Sequence, residues 1–384
     1  MARIYLDNAA TSWPKPPQVV ESMAGHLRDD GGSAGRGGHA SAMGAQRIVD
    51  RAREVVGRLI GAEQPSCIAF LHNGTDALNT AIHGVLGRGD HVVTTVCEHN
   101  SVLRPLHHAE RRLGCELTVV DCDDSGRVDA ERLLAAVRPD TRLVALTHAS
   151  NVTGALQPIE AVAAGLRDRD TLLLVDAAQS AGHARIDVQA FAIDLLAAPG
   201  HKGLLGPTGT GFLYVRPGVE RQLTPLRQGG TGGQSDLPVQ PTEMPTLLEC
   251  GNANVVGLAG LVAGVEHVLE VGVDVLGTQI GERTRQLIDG LLGLPGCRLF
   301  GPTECAERVG VVSLLVDGYD PHELAALLEL SAGVESRAGL HCAPQMHRRL
   351  GTSQGGTLRL SSGVFTTEDE IEQVVAAIAA VAAG

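Results

Sequence analysis

Lysine is almost absent from this chain of 384 residues: among 31 basic side chains, only Lys15 and Lys202 are lysines. Arginine carries the rest of the positive charge. Arginine stays protonated in proteins, whereas a lysine can lose its proton and react as an amine. A retained lysine is therefore a candidate for chemistry that arginine cannot perform. Lys15, inside the segment WPKPP, reads more simply as an exposed surface residue. Aromatic residues are also scarce, at 2%, so the core must rest on Leu, Val, Ile and Ala. No apolar run reaches the roughly 18 residues a transmembrane helix needs. The N-terminus, MARIYLDNAATSWPKPP, has no long apolar stretch and does not read as a signal peptide. The expected location is cytoplasmic. Eight cysteines are present without a CxxC pair, so they are expected to be free, mostly buried thiols. An excess of positive charge is missing too. A net charge of −13 argues against a general nucleic-acid or anionic-membrane binder.

Short apolar runs alternate with helical patterns through the first two thirds of the chain. Strands are expected at 67–71, 91–96, 116–120, 142–147, 171–175, 193–197 and 211–215. Helices are expected at 17–29, 41–61, 75–87, 101–113, 129–137 and 159–168. That alternation predicts an α/β domain whose mostly parallel sheet is covered on both faces. From about residue 254 the texture changes. Helices at 255–271 and 273–293 precede strands at 309–315 and 357–361 and a last helix at 367–382, which predicts a smaller α+β domain. The expected division is 15–254 for the large domain, with 1–14 and 255–384 forming the small one. The glycine-rich stretch 229–236 reads as a loop.

Ligands of open α/β sheets bind at the carboxyl ends of the strands, so the residues following each strand matter most. Asp176 follows TLLLV, where it is either a helix N-cap or an acid over the binding crevice. Lys202 lies in the turn Gly200-His201-Lys202-Gly203 after the next strand, and glycines on both sides allow close approach to a ligand. An acid and a lone lysine at neighbouring strand ends suggest pyridoxal phosphate, with the lysine forming a Schiff base and the acid facing the pyridine nitrogen. Asn73-Gly74-Thr75 opens a helix, as an anion site or as an ordinary Asn-Gly turn. His99 ends another strand, where an imidazole can stack on a ring and exchange protons. Asn151 either bonds a ligand oxygen or makes a loop turn. Cys342 lies in a Gly- and Pro-bounded segment beside His341 and several arginines, where it is either a thiol whose setting can favour thiolate or one more inert thiol. A zinc site built on Cys342 and His347 lacks two further ligands, so no metal is expected. Arg359, on a strand in LRLSS, either clamps a carboxylate or is an ordinary surface arginine. No P-loop occurs, and the glycines of 206–211 lack dinucleotide-fingerprint spacing.

Eight segments in order carry a resemblance: YLDNAAT (5–11), NGTDALN (73–79), EHNS (98–101), SNVTG (150–154), DAAQS (176–180), GHKGLLGPTGTGFLYV (200–215), RAGLHCAP (337–344) and LRLSSGVFTTEDEIE (358–372). Together they resemble the cysteine desulfurase and selenocysteine lyase family of aminotransferase class V, in its SUF-type branch. The resemblance implies fold type I, pyridoxal phosphate as cofactor, a homodimer and a protein acceptor for sulfur. Lys202 resembles the Schiff-base lysine, and Asp176 the partner of the pyridine nitrogen. Gln179 is implied at the phenolic oxygen and His99 over the ring. Gly74, Thr75 and His201 are implied at the phosphate. Asn151 is implied near substrate and cofactor oxygens, Arg359 at the substrate carboxylate, and Cys342 as the residue that takes up sulfur. Two positions depart from the family pattern. Pro199 replaces a Ser or Thr phosphate donor, and Asn252 stands where a Thr of the partner chain meets the phosphate.

The implied activity is conversion of L-cysteine to L-alanine with sulfur left on Cys342 as a persulfide. The alternative is a C–S or C–Se β-lyase acting on cysteine, cystine, selenocysteine or an S-conjugate. A non-catalytic sulfur-relay subunit is a third possibility, and the retention of Lys202 weighs against it.

Overall fold

The computed structural model describes residues 3–35, 37–231, 236 and 238–383. The chain begins with β1 (Ile4–Tyr5), α1 (Pro17–Gly25), α2 (Ala40–Ile60), β2 (Ile68–Leu71), α3 (Gly74–Val85), β3 (His91–Thr95), α4 (Asn100–Leu113) and β4 (Glu116–Val120). It continues through α5 (Ala130–Ala135), β5 (Thr141–Thr147), α6 (Ile159–Leu166), β6 (Leu172–Asp176), β7 (Leu195–Pro199) and β8 (Gly211–Val215). The remainder holds α7 (Val255–Val271), α8 (Val273–Leu291), β9 (Cys297–Phe300), β10 (Val311–Val316), α9 (Pro321–Ala332), β11 (Val334–Glu335), β12 (Arg337–Gly339), α10 (Pro344–Arg349), β13 (Thr357–Ser361) and α11 (Glu368–Ala382).

Seven strands form one sheet in the order β2-β8-β7-β6-β5-β3-β4. All neighbours from β7 to β4 pair in parallel, and β8 runs antiparallel to both β2 and β7. Apolar runs such as TLLLV are continuous because both faces are covered. Leu173 and Val175 pack into one core with Val144, Leu146 and residues of α2 and α6. Leu172 and Leu174 point the other way, into a core with α3 and α4. Each such leucine contributes about 2 kcal/mol by leaving water.

A second sheet, β12-β13-β10-β9, is antiparallel and shares a core with α8, α9 and α11. Ile4 and Leu6 from the N-terminus join that core. The expected division assigned α7 to the small domain. Its Val255, Leu258, Leu261 and Val265 instead lie in the core of the large sheet, because α7 packs on α1 and α2. The expected loop at 229–236 falls partly on residues 232–235, outside the described residues.

The expected strands all form, within a few residues at each end. Helix α11 starts at a capping box in which Thr367 accepts from the Glu370 amide. The sequence reading passes over β1, β9, α9, β11, β12 and α10. Helix α9 carries a legible start signal, Asp320 as N-cap with Pro321 and Glu323 behind it. The two- and three-residue strands have no period to detect.

Among the described residues, six imidazoles are held far below their ordinary range by this architecture. Desolvation, the first cause in each case, pushes His99, His148, His183, His201 and His347 down to about 4, and His341 to about 2. An unfolded imidazole titrates near about 6.5. Between those values the unfolded chain binds protons that the folded chain refuses, so stability is full above pH 6.5 and declines as pH falls. We predict that unfolding at pH 5 has a net uptake of several protons, the six imidazoles outweighing the release from the raised carboxyls of Glu98 and Asp176, with a melting temperature well below that at pH 7. Calorimetry in buffers of different ionisation enthalpy counts those protons, and a melting temperature flat across this range would contradict the assignment.

Candidate active site

Strands β6 and β7 lie side by side with Asp176 opposite Ala197, so their carboxyl ends share one edge of the sheet. Asp176 ends β6, and Gly200-His201-Lys202 follow β7. A side chain at Gly200 would meet Thr210 Oγ1, and one at Gly203 would meet the Ala181 carbonyl, both within 2.3 Å. Only glycine lets this turn lie so close to its neighbours.

One cavity at this edge is lined by Gly74, Thr75, His99, Asn151, Asp176, Gln179, His201 and Lys202, all expected from the sequence. Among the described residues Lys202 makes no ion pair. Burial lowers its amine to about 8, and the more distant Asp176 opposes that shift. Asp176 is fully enclosed, which raises its carboxyl, while its Oδ1 accepts from the Ala178 amide at 2.9 Å.

His99 caps α4 through Nδ1, which accepts from the Ser101 amide at 3.0 Å. The ring proton is therefore assigned to Nε2. Burial first, then the charges of Lys202 and Arg359, lower His99 to about 4, so the ring is neutral. The Ser101 hydroxyl lies 2.9 Å from His99 Nδ1 and 2.7 Å from Thr75 Oγ1, linking ring and helix start. Gln179 Nε2 donates to the Ala9 carbonyl at 3.0 Å. His201 Nδ1 is buried without a hydrogen-bond partner. Pro199 lies against Gly74, where an added Cβ would be 3.1 Å from the proline Cδ.

Three expected residues do not line the cavity. Cys342 is exposed, beside a neighbouring hollow that it shares with Thr75, His99 and Arg104. His341 and Cys342 both have left-handed backbones, with φ of 46° and 57°. Two tethers hold them there: the Asn100 amide donates to the Cys342 carbonyl at 2.7 Å, and Asn151 Nδ2 to the His341 carbonyl at 2.5 Å. Arg359 is buried, with Nη2 on Asp7 Oδ1 at 2.9 Å and Nη1 on the Asn151 carbonyl at 3.2 Å; its Nε has no partner. Asn252 lies in a separate groove beside Arg53 and Glu249.

Sequence reasoning missed Asp7, Ser101 and Glu98. Asp7 binds both Arg359 and Arg337. Glu98 is buried; its Oε1 accepts from Thr95 Oγ1 at 2.7 Å and the Thr147 amide at 3.2 Å, while Oε2 has no partner. Burial raises its carboxyl to about 8, so it is protonated at neutral pH. All three lie inside recognised segments, and adjacency to His99 and to the strand ends was the available signal. Lys15 was read as a surface lysine, and the structure corrects this: it is partly buried against the His201 turn.

The donor set fits pyridoxal phosphate. An unpaired amine suits an aldehyde, and an enclosed carboxyl at the next strand end suits a pyridine nitrogen. The first amides of α3, which have no intrahelical partner, together with the unpartnered His201 ring suit a phosphate.

Such a lysine and acid on this sheet define a fold type I enzyme. The chain belongs to the aminotransferase class-V family, whose model matches residues 4–374. A probable cysteine desulfurase of Methanothermobacter thermautotrophicus is 35% identical over 96% of this chain and 92% of that protein. The apo structure of a cysteine desulfurase from Thermococcus onnurineus NA1 superposes with a TM-score of 0.93 at 33% identity, covering 100% of this chain and 95% of that one. The cysteine desulfurase CsdA from Escherichia coli, in its S-sulfonic acid form, has a TM-score of 0.88 at 28% identity, covering 98% and 94%. The chain is a pyridoxal-phosphate-dependent enzyme of the cysteine desulfurase type.

A lysine amine reacts only when unprotonated. We predict that capture of pyridoxal phosphate, followed by absorbance, accelerates through a midpoint near 8. Asp176→Asn removes a charge that favours the ammonium form, so its midpoint is expected about one unit lower. A wild-type midpoint near 10.5 would mean that the amine is fully hydrated.

Proposed function

We propose that the enzyme converts L-cysteine and the Cys342 thiol into L-alanine and a Cys342 persulfide. The observation carrying this is the placement of Cys342, an exposed thiol on a doubly tethered left-handed turn next to the Lys202 cavity. Atoms and electrons balance without an external oxidant: the substrate C–S bond breaks, an S–S bond forms, and the thiol proton ends on alanine.

Pyridoxal phosphate, when bound, supplies a conjugated ring that delocalises the electron pair left at the substrate Cα. Lys202 would hold its aldehyde, Asp176 its ring nitrogen and Gln179 its phenolic oxygen. His99 would lie over the ring, with Gly74, Thr75 and His201 at the phosphate. The Lys202 amine, once free, removes the Cα proton. His99, neutral and protonated at Nε2, is the nearby acid for a later proton transfer. Cys342 attacks the substrate sulfur as thiolate. Arg359, with a free Nε, would take the substrate carboxylate.

Asn252 lies apart from its own chain's cavity, in keeping with a homodimer in which it would serve the partner's phosphate site. An exposed Cys342 also suits transfer of the sulfur onward to an acceptor protein.

We predict that Cys342→Ala retains the cofactor's absorbance but loses at least about nine tenths of alanine production, as removal of a covalent nucleophile does. Alanine, pyruvate and ammonia are quantified after adding L-cysteine and a thiol reductant. Full alanine yield from the variant would overturn the persulfide step. Pyruvate and ammonia from the wild type would make the enzyme a β-lyase.

A further inference from the structure

Residues 11–15 lie against the backbone that carries Lys202. The Ser12 amide donates to the His201 carbonyl at 3.0 Å and Thr11 Oγ1 to the same oxygen at 3.1 Å. Lys15 Nζ reaches that carbonyl at 2.9 Å and Ser12 Oγ at 2.7 Å. A hydroxyl has one hydrogen to give. With Lys15 filling an acceptor site on Ser12 Oγ, the Ser12 hydrogen is directed to the Lys202 carbonyl at 2.8 Å, the shorter of its two choices. A donor polarised by a neighbouring cation is stronger than a neutral one.

Among the described residues, the Lys15 ammonium has no carboxylate partner. Its bonds go only to Ser12 and to the His201 carbonyl. A surface lysine would leave its charge in water. Here the charge is spent on one peptide, and desolvation lowers the amine to about 8. An arginine fork presents its donors in a plane and does not substitute for a compact ammonium converging on two oxygens.

We propose that Lys15 is a positioning residue: through Ser12 it grips the His201–Lys202 backbone and so fixes how far the Lys202 amine stands out of water. This rests on the reading of Lys202 as the reacting amine, yet its test needs neither substrate nor turnover. The two lysines of the chain make that test direct.

Protein grown on lysine carbon-13-labelled at Cε gives two side-chain signals, one per lysine. The full chain is treated with hydroxylamine to free the amine, and both signals are titrated. In Lys15→Met the single remaining signal belongs to Lys202. Its midpoint is expected to rise by about one unit toward the ordinary lysine value, as water reaches the amine. Ser12→Ala keeps the Lys15 charge and removes the hydroxyl link, and a rise of the same sign is expected. Unchanged Lys202 midpoints in both folded variants would overturn the proposal. A rise in Lys15→Met alone would also overturn it, since bare charge would then be the cause. If Lys15→Met fails to fold, Ser12→Ala decides by itself. Failure of the cysteine reaction leaves this titration intact, so the two proposals fail separately.

Discussion

A lysine that is to react must be kept from water without being given a carboxylate to pair with, and the rest of the molecule follows from that constraint. Burial alone disfavours an ammonium. An acid in contact would restore it. The fold separates the two by placing Asp176 and Lys202 at the ends of adjacent parallel strands, within reach of one ligand but outside ion-pair distance. A parallel sheet brings successive strand ends to a single edge, whereas an antiparallel sheet would alternate them. Seven strands with helices on both faces are the scaffold for that edge.

Electrostatics around the edge share a direction. Burial neutralises Glu98, His99 and His201, each by the cost of keeping charge away from water. Charge is retained chiefly where partners compensate it, as at Asp7 between Arg337 and Arg359. Apart from Asp176, whose charge acts on Lys202, the cavity therefore offers neutral donors and acceptors around one amine. Hydrogen bonds in such surroundings hold their geometry more firmly than in water.

Both ends of the chain close the site. Residues 7–15 enter from the small sheet and touch Arg359, Gln179 and the Lys202 backbone in turn. The 341–342 turn enters from the other end, held by Asn100 and Asn151. Two successive left-handed residues without glycine cost about 1–2 kcal/mol each. The tethers offset that strain, and the result is a thiol projecting beside the cavity. Asn100 directly follows His99, so the thiol and the ring are referenced to the same helix start.

The sequence by itself determined the large sheet and most of its ligand edge. Its strands are continuous apolar runs ended by polar residues, and that local pattern survives without knowledge of the fold. The scarcity of lysine singled out Lys202 before any contact was visible. Contacts between distant segments were decided only by tertiary structure. Asp7 and Arg359 lie 352 positions apart, and no periodicity announces their pairing. Helix α7 looked like the start of a new domain because its composition changes there, yet packing on α1 and α2 returned it to the large core. Lys15 looked like a surface residue because WPKPP carries no core pattern. Its value came from a carbonyl 186 positions away, which only the folded chain brings to it. Local patterns report what a segment buries; which partner it meets is settled by the path of the whole chain.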